Sequence, residues 1–162
     1  MIDTHCHLYL DQFDNDRDNV ILGAVKDGVQ YILVPGIDAA TSKTSIELSN
    51  NYSKHIFSAV GIHPNYSKDS TPNLILELLN SHRCKIFALG EIGLDFYRDY
   101  SSPKTQIKIF KIMLEFAETF NLPICIHNRK ADIKLLEILD DCYDKPTLSL
   151  SSPRNGVFHA FN

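Results

Sequence analysis

The chain has 162 residues, 44% of them hydrophobic, and a formal net charge of -4. This length and apolar content suit one globular domain with a sizeable core, expected to span residues 1–162. No basic block is present, which excludes a protein that grips nucleic acid by surface charge alone: either nucleic acid is not the partner, or a metal site supplies the local positive charge.

Residues 1–3 begin a short apolar strand that runs straight into His5-Cys6-His7. Val20, Ile21, Ala24 and Val25 then form a helical stripe, and residues 31–34 (YILV) form a second strand closed by Pro35-Gly36. A second helix carries Ile46 and Leu48, with its start expected near Thr41 or Ser42. Residues 56–60 (IFSAV) are the third strand, closed by Gly61 and followed by Ile62-His63-Pro64. Leu74, Ile75, Leu78 and Leu79 mark a third helix after Thr71-Pro72. Residues 86–89 (IFAL) make the fourth strand, closed by Gly90 and followed by Glu91-Ile92-Gly93-Leu94-Asp95. The clearest helix is predicted over 103–120. Ser102 caps it, Pro103 occupies the first turn, where its missing N–H costs little, and Ile107, Phe110, Leu114 and Ala117 recur at helical spacing. The fifth strand, 124–126 (ICI), leads into His127-Asn128-Arg129, and a fifth helix covers about 131–139 with Leu135, Leu136 and Leu139 apolar. A local loop at 152–155 precedes a sixth strand at 156–158, which ends on His159.

Short apolar strands alternating with helices predict an α/β fold on a parallel sheet, and strands without polar alternation predict burial on both faces. A closed TIM-type (β/α)8 barrel needs ~250 residues. The chain has room for about five and a half βα units, so the expectation is an open sheet or a barrel truncated at that point. Cys6, Cys84, Cys125 and Cys142 form no C-x-x-C pair and read as reduced thiols, with Cys125 buried. The N-terminus does not resemble a signal peptide, and no apolar run reaches the ~20 residues that span a bilayer. A soluble, cytoplasmic protein without membrane contact is expected.

In an extended segment residues i and i+2 point the same way, so His5 and His7 converge on one point, and Asp3 is placed to share that side. His63, Glu91, His127 and His159 each follow an apolar strand. In a parallel sheet those strand ends share one face, which is where ligands bind. A carboxylate buried there needs a cation or donors. Taken singly, each of these residues fits an exposed or hydrogen-bonded side chain. Together they place a ligand-type residue at the end of strand after strand, which core packing does not require. Four histidines and a glutamate then suffice for two divalent ions, with Glu91 as the bridge. Imidazole and carboxylate suit several divalent metals, zinc, manganese and iron among them. Paired ions activate water for phosphate-ester hydrolysis. Arg98 and Arg129 are placed to grip phosphate oxygens. His55 and His82 precede strands, on the opposite rim, and are expected to be exposed. Phe110, Phe116 and Phe120 read as core.

The chain resembles the TatD family of metal-dependent deoxyribonucleases. DTHCHL at the start, GIHP at 61–64, GEIGLDFYRD at 90–99, SPKTQIKIF, LPICIHNRKA and FHAFN carry the resemblance in family order along the whole chain. It implies a TIM-type barrel with a two-metal site on its C-terminal face. His5 and His7 match the first ligand pair, Glu91 the bridging and catalytic carboxylate, and His127 and His159 the second-metal histidines. His63, Arg98 and Arg129 match positions near the bound phosphate. The implied cofactors are two magnesium or manganese ions, with zinc the further candidate, and the implied partner is DNA, at single-stranded 3′ ends. The family carries a further aspartate in a Thr-Asp-Ala-Pro context on the last strand, beyond the end of this chain. An incomplete hydrolase barrel over 1–162 is the resulting expectation. Three readings stay open: a deoxyribonuclease, a barrel hydrolase of another ester such as aminoacyl-tRNA, and an inactive truncated product.

Overall fold

Each apolar run of the sequence becomes a strand and each periodic stretch a helix, in strict alternation. A computed structural model describes residues 1–143 and 156–159. The loop expected at 152–155 and the end of the FHAFN stretch, 160–162, lie outside the described residues. β1 (Ile2–Asp3), β2 (Tyr31–Pro35), β3 (Ile56–Val60), β4 (Ile86–Asp95), β5 (Ile124–Arg129) and β6 (Gly156–His159) pair in sequence order, every pair parallel. Between them run α1 (Arg17–Lys26), α2 (Ala39–Asn51), α3 (Pro72–His82), α4 (Pro103–Thr119) and α5 (Asp132–Tyr143). Parallel neighbours cannot be joined by a tight turn, so each needs a crossover of this kind.

The sheet curls until its first and last described strands approach each other. His5, just past β1, and His159, at the end of β6, stack with ring centroids 3.5 Å apart. The expected α/β barrel is thus present as a curled half-barrel of six described strands. Its C-terminal strand ends gather on one rim. The larger core lies between β3–β5 and α2–α5, where Ile75, Leu79, Phe110, Met113 and Leu135 are fully buried. Each such side chain contributes roughly 1.5–3 kcal/mol on leaving water. A second cluster packs Leu8 and Tyr9 with Ile21 of α1, Ile32 and Val34 of β2, Leu48 of α2 and Ile56 of β3. Among the described residues no helix is long and apolar enough to cross a membrane.

Three details differ from the sequence reading. α2 starts at Ala39, because Asp38 caps it: its carboxylate accepts from the Thr41 N–H (2.8 Å) while Thr41 Oγ1 accepts from the Asp38 N–H (3.0 Å). In α4 the buried stripe is Gln106, Ile109, Phe110, Met113 and Ala117, with Ile107 and Leu114 on its margin. β4 and β5 run on through Asp95 and Arg129, past the strand ends that the sequence suggests at Gly90 and His127. Gly90 and Gly93 do not break the strand. They let it approach β5, since a Cβ on Gly90 would lie 2.6 Å from the Cys125 Cβ and one on Gly93 would run into the His127 carbonyl.

The cap of α4 is where the sequence expected it: Ser102 Oγ accepts from the Thr105 N–H at 3.2 Å. Ser102→Ala is expected to lower stability by about 1 kcal/mol, read as a lower urea midpoint with unchanged slope. An unchanged midpoint would mean that the cap contributes nothing.

Candidate metal centre

Glu91 lies inside β4 at the rim, 2% exposed, and four imidazoles converge on its carboxylate. Oε2 is 3.2 Å from His5 Nε2 and 3.3 Å from His7 Nε2, and those two nitrogens are 3.0 Å apart. Oε1 is 2.8 Å from His127 Nδ1 and 3.7 Å from His63 Nε2. His159 reaches the cluster by stacking on His5. The potential ligand atoms form two groups, His5–Glu91–His159 and His63–Glu91–His127, each with its atoms within 4.8 Å of one another. Glu91 belongs to both. Burial opposes its charge, but hydrogen bonds to His127, His5 and His7 outweigh that and hold the carboxyl well below the usual carboxylate range.

The strands dictate these positions. His5 and His7 follow β1, where the backbone stays in register with the sheet through the Cys6 N–H to Leu33 carbonyl bond (3.1 Å). Asp3 does not face the cluster: its carboxylate accepts the His5 backbone N–H at 2.9 Å and so braces the loop. His7 Nδ1 lies 3.0 Å from the Pro35 carbonyl, with the Tyr9 hydroxyl 2.7 Å away, and these contacts hold the ring with Nε2 facing Glu91. His63 is arranged the other way. Its Nδ1 accepts the Asn65 N–H at 3.1 Å, so the neutral ring carries its proton on Nε2, facing Glu91 and His127. Burial pulls the His63 pKa down to about 4, against the Glu91 charge, and keeps the ring neutral at neutral pH.

The donor set fits divalent cations. Lone-pair atoms of imidazoles and a carboxylate crowd within 2.8–3.3 Å, a repulsive arrangement unless a shared cation or proton lies among them. A cleft of about 960 Å³, lined by His7, His63, Glu91, Lys68, Tyr66 and Arg98 among others, opens onto the cluster. Of the two arginines, Arg98 lies in that lining with its guanidinium 6.0 Å from the Tyr100 ring. Arg129 instead packs over the Tyr97 ring at 4.1 Å, outside the lining. His55 and His82 are half-buried rather than exposed. His55 Nδ1 lies 3.1 Å from the Gln30 carbonyl, which ties that ring to the start of β2.

Two neighbours of the cluster carry no site role in the sequence reading. Cys125, buried as expected, puts its Sγ 3.5 Å from His5 Nδ1, and burial with the nearby Glu91 charge pushes its thiol up to about 12. Asp95, 1% exposed, lies 3.4 Å from His127 Nε2. The signal for both was spacing: Cys125 is two residues from His127, and Asp95 is four from Glu91 on one strand.

A profile described as TatD related DNase matches residues 2–162. The chain belongs to this family. It is 36% identical over 143 residues to an uncharacterized metal-dependent hydrolase, YabD, of Bacillus subtilis (strain 168), covering 87% of this chain and 55% of that protein. It is 34% identical over 147 residues to the 3′-5′ ssDNA/RNA exonuclease TatD of Salmonella typhimurium (strain LT2), covering 89% and 55%. The solved structure of YjjV, a TatD homolog from Escherichia coli K12, superposes with a TM-score of 0.88 at 30% identity, over all of this chain and 60% of that one. This TatD-family chain therefore spans little more than half the length of the relatives it matches.

Proposed function

We propose that this TatD-family chain contributes the metal-binding rim of a hydrolase that cleaves phosphodiester bonds at the 3′ ends of single-stranded DNA. The observation that carries the reading is one buried carboxylate shared by imidazoles from separate strands beside an open cleft. His5, His7, Glu91, His127 and His159 would hold two divalent ions, magnesium or manganese. Such ions polarise a phosphoryl oxygen and lower the pKa of water. His63 lines the cleft beside these ligands, where a bound phosphate would pass. Arg98 offers charge to the phosphate from the cleft wall, and Arg129 stands over Tyr97, where it orients the strand's approach. The acidic net charge is compatible with this, because the local positive charge comes with the ions. The name of the Salmonella typhimurium relative supports the substrate class.

The test is manganese-dependent release of mononucleotides from end-labelled single-stranded DNA. Shortening from the 3′ end, absent with a chelator, is the expected result. Turnover of an aminoacyl ester with no DNA cleavage would move the assignment to the other ester class. No turnover of either would overturn hydrolysis by this chain.

A further inference from the structure

The cleft that opens onto Glu91 keeps two aromatic rings in solvent. Tyr66 and Tyr100 both line it, and they are 47% and 62% exposed. Tyr66 belongs to the 3-10 helix Pro64–Asp69, directly after His63, and its ring meets the His63 ring edge to face at 6.3 Å. His63 Nε2 in turn lies 3.7 Å from Glu91 Oε1, so the phenol stands one side chain away from the candidate cation site. Tyr100 lies in the loop between β4 and α4, with the Arg98 guanidinium 6.0 Å from its ring.

The segments that carry the two rings are clamped together. Ser101 Oγ accepts the Lys68 backbone N–H at 2.9 Å and donates to the Asn65 carbonyl at 3.3 Å. The Ser101 carbonyl accepts from Gln106 Nε2 of α4 at 2.9 Å, and both residues are buried. Each tyrosine adjoins a residue of this clamp in the sequence. Backbone fixed before a ligand arrives lowers the ordering cost of binding.

Charge does not account for what such rings would hold. Lys68 and Arg98 share the lining with Asp38, Asp69 and Glu91, although the Asp38 carboxylate is engaged by the N–H and hydroxyl of Thr41. With a net charge of -4 on the chain, counterion release offers a nucleic acid strand little. Affinity then has to come from ions at one point and from ring faces along the cleft. Base–aromatic stacking tolerates any sequence, because every base has a π-face. In a duplex those faces are covered by neighbouring bases, so exposed rings favour unpaired nucleotides.

We infer that Tyr66 and Tyr100 form a base-stacking subsite that leads unpaired nucleotides toward the metal rim and favours single strands over duplex. The inference deepens the nuclease reading and rests on it for the identity of the occupant.

The probe is a dT hexamer with hydrolysis-resistant phosphorothioate linkages and a 5′ fluorescein, its binding followed by anisotropy in Mn2+. Tyr66→Ala and Tyr100→Ala are each expected to weaken binding about 5- to 150-fold, the range of one lost base–ring stack. Tyr66→Phe and Tyr100→Phe, which keep the rings, are expected to bind as wild type. A hexamer of the same linkages with abasic sugars is the readout that a merely structural role would not move. It is expected to bind wild type as weakly as the alanine variants bind dT, and to lose nothing further in those variants. A blunt duplex should compete poorly with dT for the wild type, and this preference should shrink in the alanine variants. Equal losses for dT and abasic probes overturn the subsite, as does a wild type that binds both alike, which also decides the matter if an alanine variant does not fold. Mn2+-dependent cleavage of ordinary single-stranded DNA with no effect of either ring overturns the stacking and leaves the nuclease reading standing. Ring-dependent binding of dT without cleavage overturns hydrolysis by this chain and leaves the subsite.

Discussion

Glu91→Gln is expected to abolish the stabilisation of this chain by Mn2+. Glutamine keeps the shape of the side chain and removes its charge. Glu91 is the one acidic group common to both candidate ligand sets, and hydrogen bonds to three histidines hold it ionised. Without it, neutral imidazoles face one another and nothing offsets the charge of two cations. Loss of partners outside a ligand set already costs 10- to 100-fold in affinity, so removing the shared ligand is expected to cost roughly 100-fold or more. Metal at 100 times its dissociation constant stabilises a folded chain by about 2.7 kcal/mol. The wild type should therefore show a clear rise in unfolding midpoint on adding Mn2+, and Glu91→Gln should show almost none. Any DNA cleavage should fall at least in proportion. His55→Gln, just before β3 on the opposite rim, is the control and should behave as wild type. Equal Mn2+ binding by wild type and Glu91→Gln would remove Glu91 from the site.

Gly93→Ala is the substitution expected to cost the fold most for its size. Gly93 sits at φ +144°, a region that L side chains rarely adopt, and pairs with His127 across β4 and β5. A Cβ there would run into the His127 carbonyl oxygen and would lie 2.9 Å from its carbon and 3.0 Å from its nitrogen. These are backbone atoms of a central strand and cannot swing aside. Conformational strain of order 1–3 kcal/mol and overpacking of similar size sum to about 2–6 kcal/mol. Against a total stability of typically ~5–15 kcal/mol, that removes a large share. Urea unfolding measures it, and whatever folds should bind Mn2+ more weakly because His127 is displaced. Gly23→Ala is the contrast: it lies in α1 with nothing within 4 Å of its would-be Cβ, so it should gain roughly 0.5–1 kcal/mol. Equal stability of the two variants would refute the close-approach role of Gly93.

The alternation of strands and helices followed from period and punctuation. The α4 cap was readable because Ser102-Pro103 is a local signal. His5, His7, His63, Glu91, His127 and His159 stood out because each follows an apolar run, and strand ends on one rim of a parallel sheet must converge. Gly90 reads as a strand end, whereas β4 runs through it, because a glycine that ends a strand and one that admits a neighbouring strand look alike in a sequence. Asp95 carries no signal for the same reason, since a strand closed at Gly90 leaves it in a loop.

The sequence by itself determined the order of the elements, the parallel sheet, and which side chains would crowd its C-terminal rim, because those depend on local periodicity. Only the tertiary structure decided which atoms meet: His5 stacked on His159, His63 against His127, Arg129 over Tyr97, and Asp95 behind His127. These contacts depend on register between strands and on hydrogen bonds between residues far apart in the chain. Packing sets such contacts, and no local pattern encodes them.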